Sequence, residues 1–285
     1  MAMIFIICKV VFIRNPALTG LDYVLIRSPV MLMIGTAQLL HAKVNPLDIR
    51  KDCRVLLLVR TITGGIGIPI TFIGLRYLPS SKATLIINTH PLLVSIIGYY
   101  VLKEMLKKVD VVSFIGSFVG IIMFAVNNTK SEIDVSSDQE YFYGLVMVIF
   151  SMIGATIVAI CLRVINQHIH PALSPFYLSV ITGAEMLILL AINSSFFHLE
   201  HYTAQDIGLF SISAIFDYLA QLLKSMAYKY ADASIVTPFM YSQMVFMLIA
   251  DIFLFGYHFS EFDIAGGVMV TGFLLLPVFY KINAK

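Results

Sequence analysis

Three polar side chains lie on one face of an otherwise apolar segment. Asp217, Gln221 and Lys224 are separated by four and three residues, so an α-helix places them on the same side. An acid and a base at mid-depth in a membrane are costly unless they are paired or hydrated. The three side chains therefore form either a polar wall of a substrate cavity, which is the interpretation we adopt, or an internal ion-pair network that fixes helix packing.

A second polar group interrupts the apolar run 83–102. Asn88 and His90 lie inside this run, and an offset of about 153 residues relates them to Tyr241 and Gln243. The four side chains offer hydrogen-bond donors and acceptors to a polar solute from both halves of the chain. We therefore predict substrate binding at these four positions as well as at the three residues of the first group.

Two side chains are candidates for proton coupling. His90 carries the side chain that titrates near neutrality, although a lone histidine in a membrane is also common as a hydrogen-bonded packing residue. Glu185 lies in the middle of the apolar segment 175–192, where the alternative is a neutral acid hydrogen-bonded to a neighbouring helix. Asp251 is a further acid in an apolar segment, and we expect it to face the cavity or to pair with a basic residue such as Arg27.

The composition is that of a membrane protein. Hydrophobic residues make up 59% of the chain and charged residues 13%, and the mean hydropathy is +0.89, whereas soluble domains are about half apolar and about a quarter charged. Because the net charge is only +2 and the basic residues lie in short loops, we expect the lipid bilayer as a partner and no nucleic acid. The three cysteines lack metal-ligand spacing, so no metal or cofactor is expected.

The elements that must position these residues are apolar segments joined by mostly short loops. We predict an all-α membrane protein with about ten transmembrane helices, because segments of roughly 20 apolar residues cross a bilayer. The segments are 1–13, 23–40, 55–75, 83–102, 111–126, 142–162, 175–192, 207–228, 234–255 and 264–279.

The order of features repeats after about 153 residues. Tyr77 corresponds to Tyr230 and Thr84 to Thr237, and in each half a break precedes a long apolar helix, a short charged turn and a glycine-containing helix. Because each copy has five segments, the second copy must enter the bilayer from the opposite face, which predicts two inverted repeats.

The predicted repeats cover residues 1–126 and 142–281. The first apolar segment is short, and its partner 142–162 projects back to about ten positions before Met1. We therefore expect the first helix to be incomplete.

The loop charges predict which side of the membrane each loop occupies. One set of alternate loops and the C-terminal tail are rich in lysine and arginine, whereas the other set includes the acidic loop 127–141. The positive-inside rule then places both termini in the cytosol. The basic residues on the predicted cytosolic side are Lys43, Arg50, Lys51, Arg54, Lys103, Lys107, Lys108, Lys281 and Lys285.

Several stretches together resemble the EamA-type module of the drug/metabolite transporter superfamily. They are LIRSPVML, VRTITGGIG, YLPSSKATLI, PLLVSIIGYYVLKE and the pair Gly116 and Gly120. Within that superfamily the first half is similar to solute carriers related to nucleotide-sugar transporters, in their acyl-malonyl-condensing-like subgroup. The second half departs from the pattern, because Tyr257 stands where the first copy has Glu104.

The resemblance also bears on basic and small residues. Arg27 and Arg60 match recurrent basic positions of the family, which implies attraction of an anionic substrate; near helix ends they would equally reach lipid headgroups or bind backbone carbonyls. Gly116 and Gly120 form a GxxxG pair, for which close packing within one copy and a homodimer or larger membrane complex are both open.

No catalytic or metal-binding motif is present, so we do not expect an enzyme. We predict an integral membrane transporter that moves a small polar organic solute by alternating access. The alternative is a transport-inactive relative that acts as a structural subunit of a membrane assembly, favoured by the short first segment and by Tyr257. A membrane acyltransferase is a distant third interpretation, weakened by the lack of a His-Asp motif.

Overall fold

The computed structural model describes residues 2–90, 93–94, 97, 108–126, 138–166, 168–230, 243 and 246–283. This part of the chain is helical, with short turns and two 3-10 turns between α7 and α8, which confirms the all-helical prediction there. The helices are α1 (Ala2–Arg14), α2 (Gly20–His41), α3 (Lys51–Tyr77), α4 (Ser80–Ile87), α5 (Lys108–Val126), α6 (Asp138–Ile165), α7 (Leu173–Ile192), α8 (Ala204–Tyr230), α9 (helical at 246–253) and α10 (Glu261–Asn283).

Length and composition decide which of these helices can span a bilayer. Among the described residues, five helices are long and apolar enough to cross a membrane: α2, α3, α6, α7 and α8. Residues Val111–Met123 of α5 form a shorter apolar stretch. At 1.5 Å per residue, the 27 residues of α3 extend about 40 Å, more than the ~30 Å hydrocarbon core.

Three helices begin with the same local arrangement, Ser or Thr followed three residues later by Asp. The aspartate accepts a hydrogen bond from the backbone N–H of the preceding cap residue, which satisfies an otherwise unpaired donor at the helix start. The pairs are Thr19 with Asp22 at 2.7 Å before α2, Thr203 with Asp206 at 3.3 Å before α8, and Ser260 with Asp263 at 3.0 Å before α10.

The helices pack in pairs that join the first five to the last five. α2 packs against α7 and α8, α3 against α6 and α7, α1 against α8, and α5 against α10. The largest buried apolar cluster draws residues from α1 to α4 and from α6 to α8, with further residues from α5 and α10.

The GxxxG pair of α5 lies in the contact with α10. A Cβ atom added to Gly120 would lie 2.9 Å from the carbonyl oxygen of Gly266, and one added to Gly116 would collide with the ring of Phe273. The two backbones can approach this closely only because both positions are glycine. Of the two alternatives, packing within one copy does not hold, because the glycines contact α10 in the other half of the chain. A homodimer stays a prediction.

Buried polar groups hold the connection between α3 and α4. Lys9 of α1 donates to the carbonyl oxygens of Leu75 and Leu78, at 3.1 and 3.3 Å, and so satisfies acceptors at the end of α3. Asp251 of α9 accepts from the backbone N–H groups of Ser80 and Ser81, at 3.1 and 2.6 Å. Asp251 was expected to face the cavity or to pair with a basic residue such as Arg27; it does not line the cavity, Arg27 pairs with Asp217 instead, and the carboxylate of Asp251 caps the start of α4.

A buried ion pair lies beside this connection. Lys82 of α4 and Asp263 of α10 approach to 2.5 Å, with side chains 1% and 0% exposed, and the Lys82 ammonium also donates to the hydroxyl of Tyr141 on α6 at 3.1 Å. We call Lys9, Lys82, Asp251 and Asp263 the junction cluster. It joins α1, α3, α4, α9 and α10 at one end of the bundle.

Candidate substrate cavity

A cavity of about 170 Å³ lies inside the bundle. Its described lining comes from α1, α3, α4, α6, α7 and α8, together with Gln243. The cavity exists because several of these helices present small residues to one another, so the helices enclose space that larger side chains would fill.

Helix α3 forms one wall through residues spaced three or four apart. Gly64, Gly67 and Thr71 share a face of the helix and line the cavity. A Cβ atom added to Gly67 would meet nothing within 4 Å, so this glycine borders open space. Thr71 donates to the carbonyl oxygen of Gly67 at 2.8 Å and contacts the hydroxyl of Ser151 on α6.

Helix α4 ends beside the cavity, at the polar residues that the sequence placed inside a continuous segment. It stops at Ile87, and Asn88 and Thr89 form a turn before His90. A broken helix at membrane depth is tolerated where it lines a cavity or is buried in protein. The side-chain nitrogen of Asn88 and the hydroxyl of Thr84 are buried without a hydrogen-bond partner in the described part of the chain.

The ring of His90 has a defined orientation. Its Nδ1 lies 2.9 Å from the carbonyl oxygen of Ile87, and because a carbonyl only accepts, Nδ1 carries a proton there. In the neutral ring Nε2 is then an acceptor. His90 lines the cavity, so this residue adds an acceptor to its lining.

Helix α8 brings its three polar residues to the cavity, as the helical spacing predicted. Asp217, Gln221 and Lys224 all line it. Asp217 also pairs with Arg27 of α2, whose Nε lies 2.5 Å from the carboxylate, and Gln221 donates to the same carboxylate at 3.4 Å. The two interpretations left open for this face are thus not exclusive: one residue is in an ion pair, and all three border the cavity.

The two arginines lie deep in the protein rather than at its surface. Arg27 is 0% exposed and Arg60 is 1% exposed, so neither guanidinium reaches lipid headgroups. Arg60 lines the cavity, and its Nε and Nη1 have no hydrogen-bond partner among the described residues. Arg27 stands behind Asp217 and is not among the residues that line the cavity.

The remaining predicted site residues lie in different parts of the structure or outside the described residues. Gln243 lines the cavity. Tyr241 lies outside the described residues, as do Pro91 and Glu104. Glu185 is half-buried on α7 and does not line the cavity; its carboxylate lies against Gly65 of α3, where a Cβ atom would be 2.6 Å from Oε1. Its role in proton coupling stays a prediction.

The sequence reasoning missed the contribution of α6. Ser151, Gly154, Ala155 and Val158 line the cavity from this helix. The sequence did contain an indication that α6 faces the cavity, because small or polar residues recur in this helix at intervals of three and four, the same period as on α3. It was weak, because such residues are common in membrane helices.

Comparison with known proteins identifies the family. The model of the EamA-like transporter family matches residues 1–126 and 142–279. The chain belongs to this family. A crystal structure of a protein superimposes with a TM-score of 0.62 over 100% of this EamA-like chain and 96% of the solved chain, at 14% sequence identity, and at that identity the likeness shows the fold alone.

Two curated relatives come from Saccharomyces cerevisiae. An uncharacterized membrane protein is 26% identical over 218 residues, 72% of this chain and 52% of the relative. A probable transport protein is 25% identical over 217 residues, 71% of this chain and 61% of the relative. The matched region thus spans between half and two thirds of these relatives. Family and composition establish an integral membrane protein and point to transport rather than enzymatic catalysis.

Proposed function

We propose that this EamA-like protein moves a small polar organic solute across a membrane by alternating access at the cavity between α3, α4, α6 and α8. The observation that carries the proposal is the cavity itself. A helix break faces it from α4, together with buried polar groups that have no partner among the described residues, and charged residues face it from α3 and α8. Buried polar groups without partners are costly. A bound solute would supply the partners.

The proposal includes ten spans in two inverted copies, residues 1–126 and 142–281. Helix bounds support it, because α3 spans Lys51–Tyr77 and α8 spans Ala204–Tyr230, a shift of 153 residues at both ends. The packing supports it as well: α2 with α8 corresponds to α7 with α3, and α3 with α6 corresponds to α8 with α1. Two halves related in this way can exchange conformations around a central site.

Orientation and subgroup belong to the same proposal. We place both termini in the cytosol on the basis of the loop charges, and the junction cluster then lies at the outer end of the bundle. The similarity to solute carriers related to nucleotide-sugar transporters remains our proposal for the subgroup. A yeast relative described as a probable transport protein supports transport in general.

Labelling of a cavity position from both sides of the membrane tests alternating access. Gly67→Cys places a thiol in open space inside the cavity, and a charged, membrane-impermeant methanethiosulfonate is applied to right-side-out and inside-out vesicles. We expect modification from both sides. Gly272→Cys on α10, also in open space and on an exposed face, is the matched control outside the cavity.

Modification from one side only would contradict alternating access. If reconstituted protein also gave no flux of carboxylates, amino acids, nucleotide sugars or organic cations, the structural-subunit alternative would replace the proposal. The three native cysteines, Cys8, Cys53 and Cys161, are buried, so unsubstituted protein provides the background.

A further inference from the structure

The described lining of the cavity carries more positive than negative charge. Among the described residues that line it, Arg60 and Lys224 are cationic and Asp217 is acidic. The charge of Asp217 is already balanced by Arg27, at 2.5 Å. In the described part of the chain, the two cations that face the cavity are therefore left without a carboxylate of their own.

The contacts of the two cations lead to the same conclusion. Arg60 is 1% exposed, with Nε and Nη1 unpartnered, and in the described part of the chain Lys224 forms neither a hydrogen bond nor an ion pair. Both side chains line the same cavity. Arg60 is buried and Lys224 is half-buried. Cations removed from water without counter-charges are expensive, so an anionic ligand that contacts both would offset their desolvation.

Two neutral donors that line the same cavity also have no partner among the described residues. The side-chain nitrogen of Asn88 and the hydroxyl of Thr84 line the cavity and are buried without partners among the described residues. A carboxylate offers about four lone-pair directions to such donors. The arrangement fits oxygen-rich anions better than neutral or cationic solutes.

The volume of the cavity indicates the scale of a ligand that it could enclose. An apolar cavity of ~150 Å³ takes up one benzene molecule, and this cavity measures about 170 Å³. A four-carbon dicarboxylate, with about eight non-hydrogen atoms, is of this scale. A nucleotide sugar is several times larger.

We infer that the cavity binds a small organic dianion, with one carboxylate held by the guanidinium of Arg60 and the other by the ammonium of Lys224. The planar guanidinium suits two parallel hydrogen bonds to a carboxylate, and the lysine ammonium acts as a point charge. This inference rests on the proposed function, because it names the substrate class of the same cavity.

A matched set of four-carbon compounds tests the inference. Succinate, succinamate and succinamide have nearly the same shape and carry two, one and no negative charges at neutral pH. Binding is measured as a rise in the melting temperature of the purified full chain in detergent with increasing ligand. We expect affinity to fall at least about tenfold for each charge removed, since hydrogen bonds between charged groups are the strong ones.

Substitutions test whether Arg60 and Lys224 are the residues that bind the two carboxylates. Arg60→Gln and Lys224→Gln should each weaken succinate binding at least about tenfold and bring it close to that of succinamate. Arg54→Gln on α3 and Lys229→Gln on α8 remove exposed cations of the same helices and should leave succinate affinity unchanged. Lys224→Arg, which keeps the charge, should retain most of the affinity.

The same compounds in liposome flux assays separate the two proposals. Succinate binding without flux would overturn the proposed transport function and leave the dianion site standing. Flux of succinamide at the rate of succinate, or a flat melting-temperature response to succinate, glutarate and adipate, would overturn the dianion site. Equal loss of succinate affinity in Lys224→Gln and Lys229→Gln would do so as well.

Discussion

At the scale of single residues, two buried arginines on neighbouring helices have different surroundings. Arg27 on α2 has a carboxylate partner in Asp217, whereas Arg60 on α3 has none among the described residues. The first arginine therefore fixes an acid at the edge of the cavity, and the second keeps its charge available. The type of residue is the same, and its partner determines what it can do.

The Arg27–Asp217 pair gives the first prediction. Asp217→Ala should lower the free energy of unfolding by about 3 kcal/mol or more, because it leaves a buried guanidinium without a counter-charge. Replacing both residues by leucine should recover most of that loss, since a buried pair is often no more stabilising than apolar side chains of similar size. Denaturant unfolding of the detergent-purified protein measures both changes.

The exposed ion pair of Arg50 and Asp52 is the matched control. These side chains are 62% and 76% exposed, so Asp52→Ala should change the unfolding free energy by less than about 1 kcal/mol. A double variant Arg27→Leu with Asp217→Leu that unfolds as readily as Asp217→Ala would contradict the interpretation that the unpaired charge causes the loss.

At the scale of helices, glycine positions determine how closely α5 and α10 approach. Gly120 should not tolerate a methyl group, because a Cβ atom there would lie 2.9 Å from the carbonyl oxygen of Gly266. We predict that Gly120→Ala lowers stability by about 1–3 kcal/mol through overpacking. The melting temperature of the purified protein checks the change.

Gly272 on α10 provides the control at this scale. A Cβ atom there would meet nothing within 4 Å, so Gly272→Ala should be neutral, or stabilising by up to about 1 kcal/mol through helix propensity. If both substitutions were equally harmless, the α5–α10 contact would not be as close as the structure has it.

The sequence predicted features that depend on local spacing. The face of Asp217, Gln221 and Lys224 follows from helical periodicity, and all three residues do line the cavity. Partners that come from distant segments were not predictable: Arg27 and Asp217 are 190 residues apart, and periodicity says nothing about which helix lies opposite. The assignment of Asp251 failed for the same reason, because its partners are backbone N–H groups, which are present at nearly every residue.

At the scale of the whole molecule, polar contacts join several helices at one end of the bundle. The junction cluster ties α1, α4, α9 and α10 to the end of α3. The repeat offset relates Lys82 to Ile235 and Asp251 to Gly98, so these polar side chains have no counterparts in the other copy. In the proposed orientation this is the outer end, and we expect ionic contacts to hold it that the opposite end cannot form in the same way.

This asymmetry gives the last prediction. In alternating access, the ends open in turn, and a contact made in only one state biases the equilibrium by its own free energy. Lys82→Gln removes the ion pair with Asp263, in which both side chains are buried. This change should favour the outward-open state. We expect modification of Gly67→Cys from the outer side to become at least about tenfold faster, since 1.4 kcal/mol corresponds to a factor of ten.

The control for this prediction is Arg50→Gln, which breaks an exposed ion pair at the start of α3. It should leave the outer-side modification of Gly67→Cys unchanged. Inner-side modification of Gly67→Cys should become slower in Lys82→Gln, because the two states share one population. Opposite changes on the two sides distinguish a shift between the outward-open and inward-open states from a general loosening of the bundle, because loosening would accelerate modification from both sides. Acceleration from both sides would therefore contradict the role of the junction cluster as an outer closure.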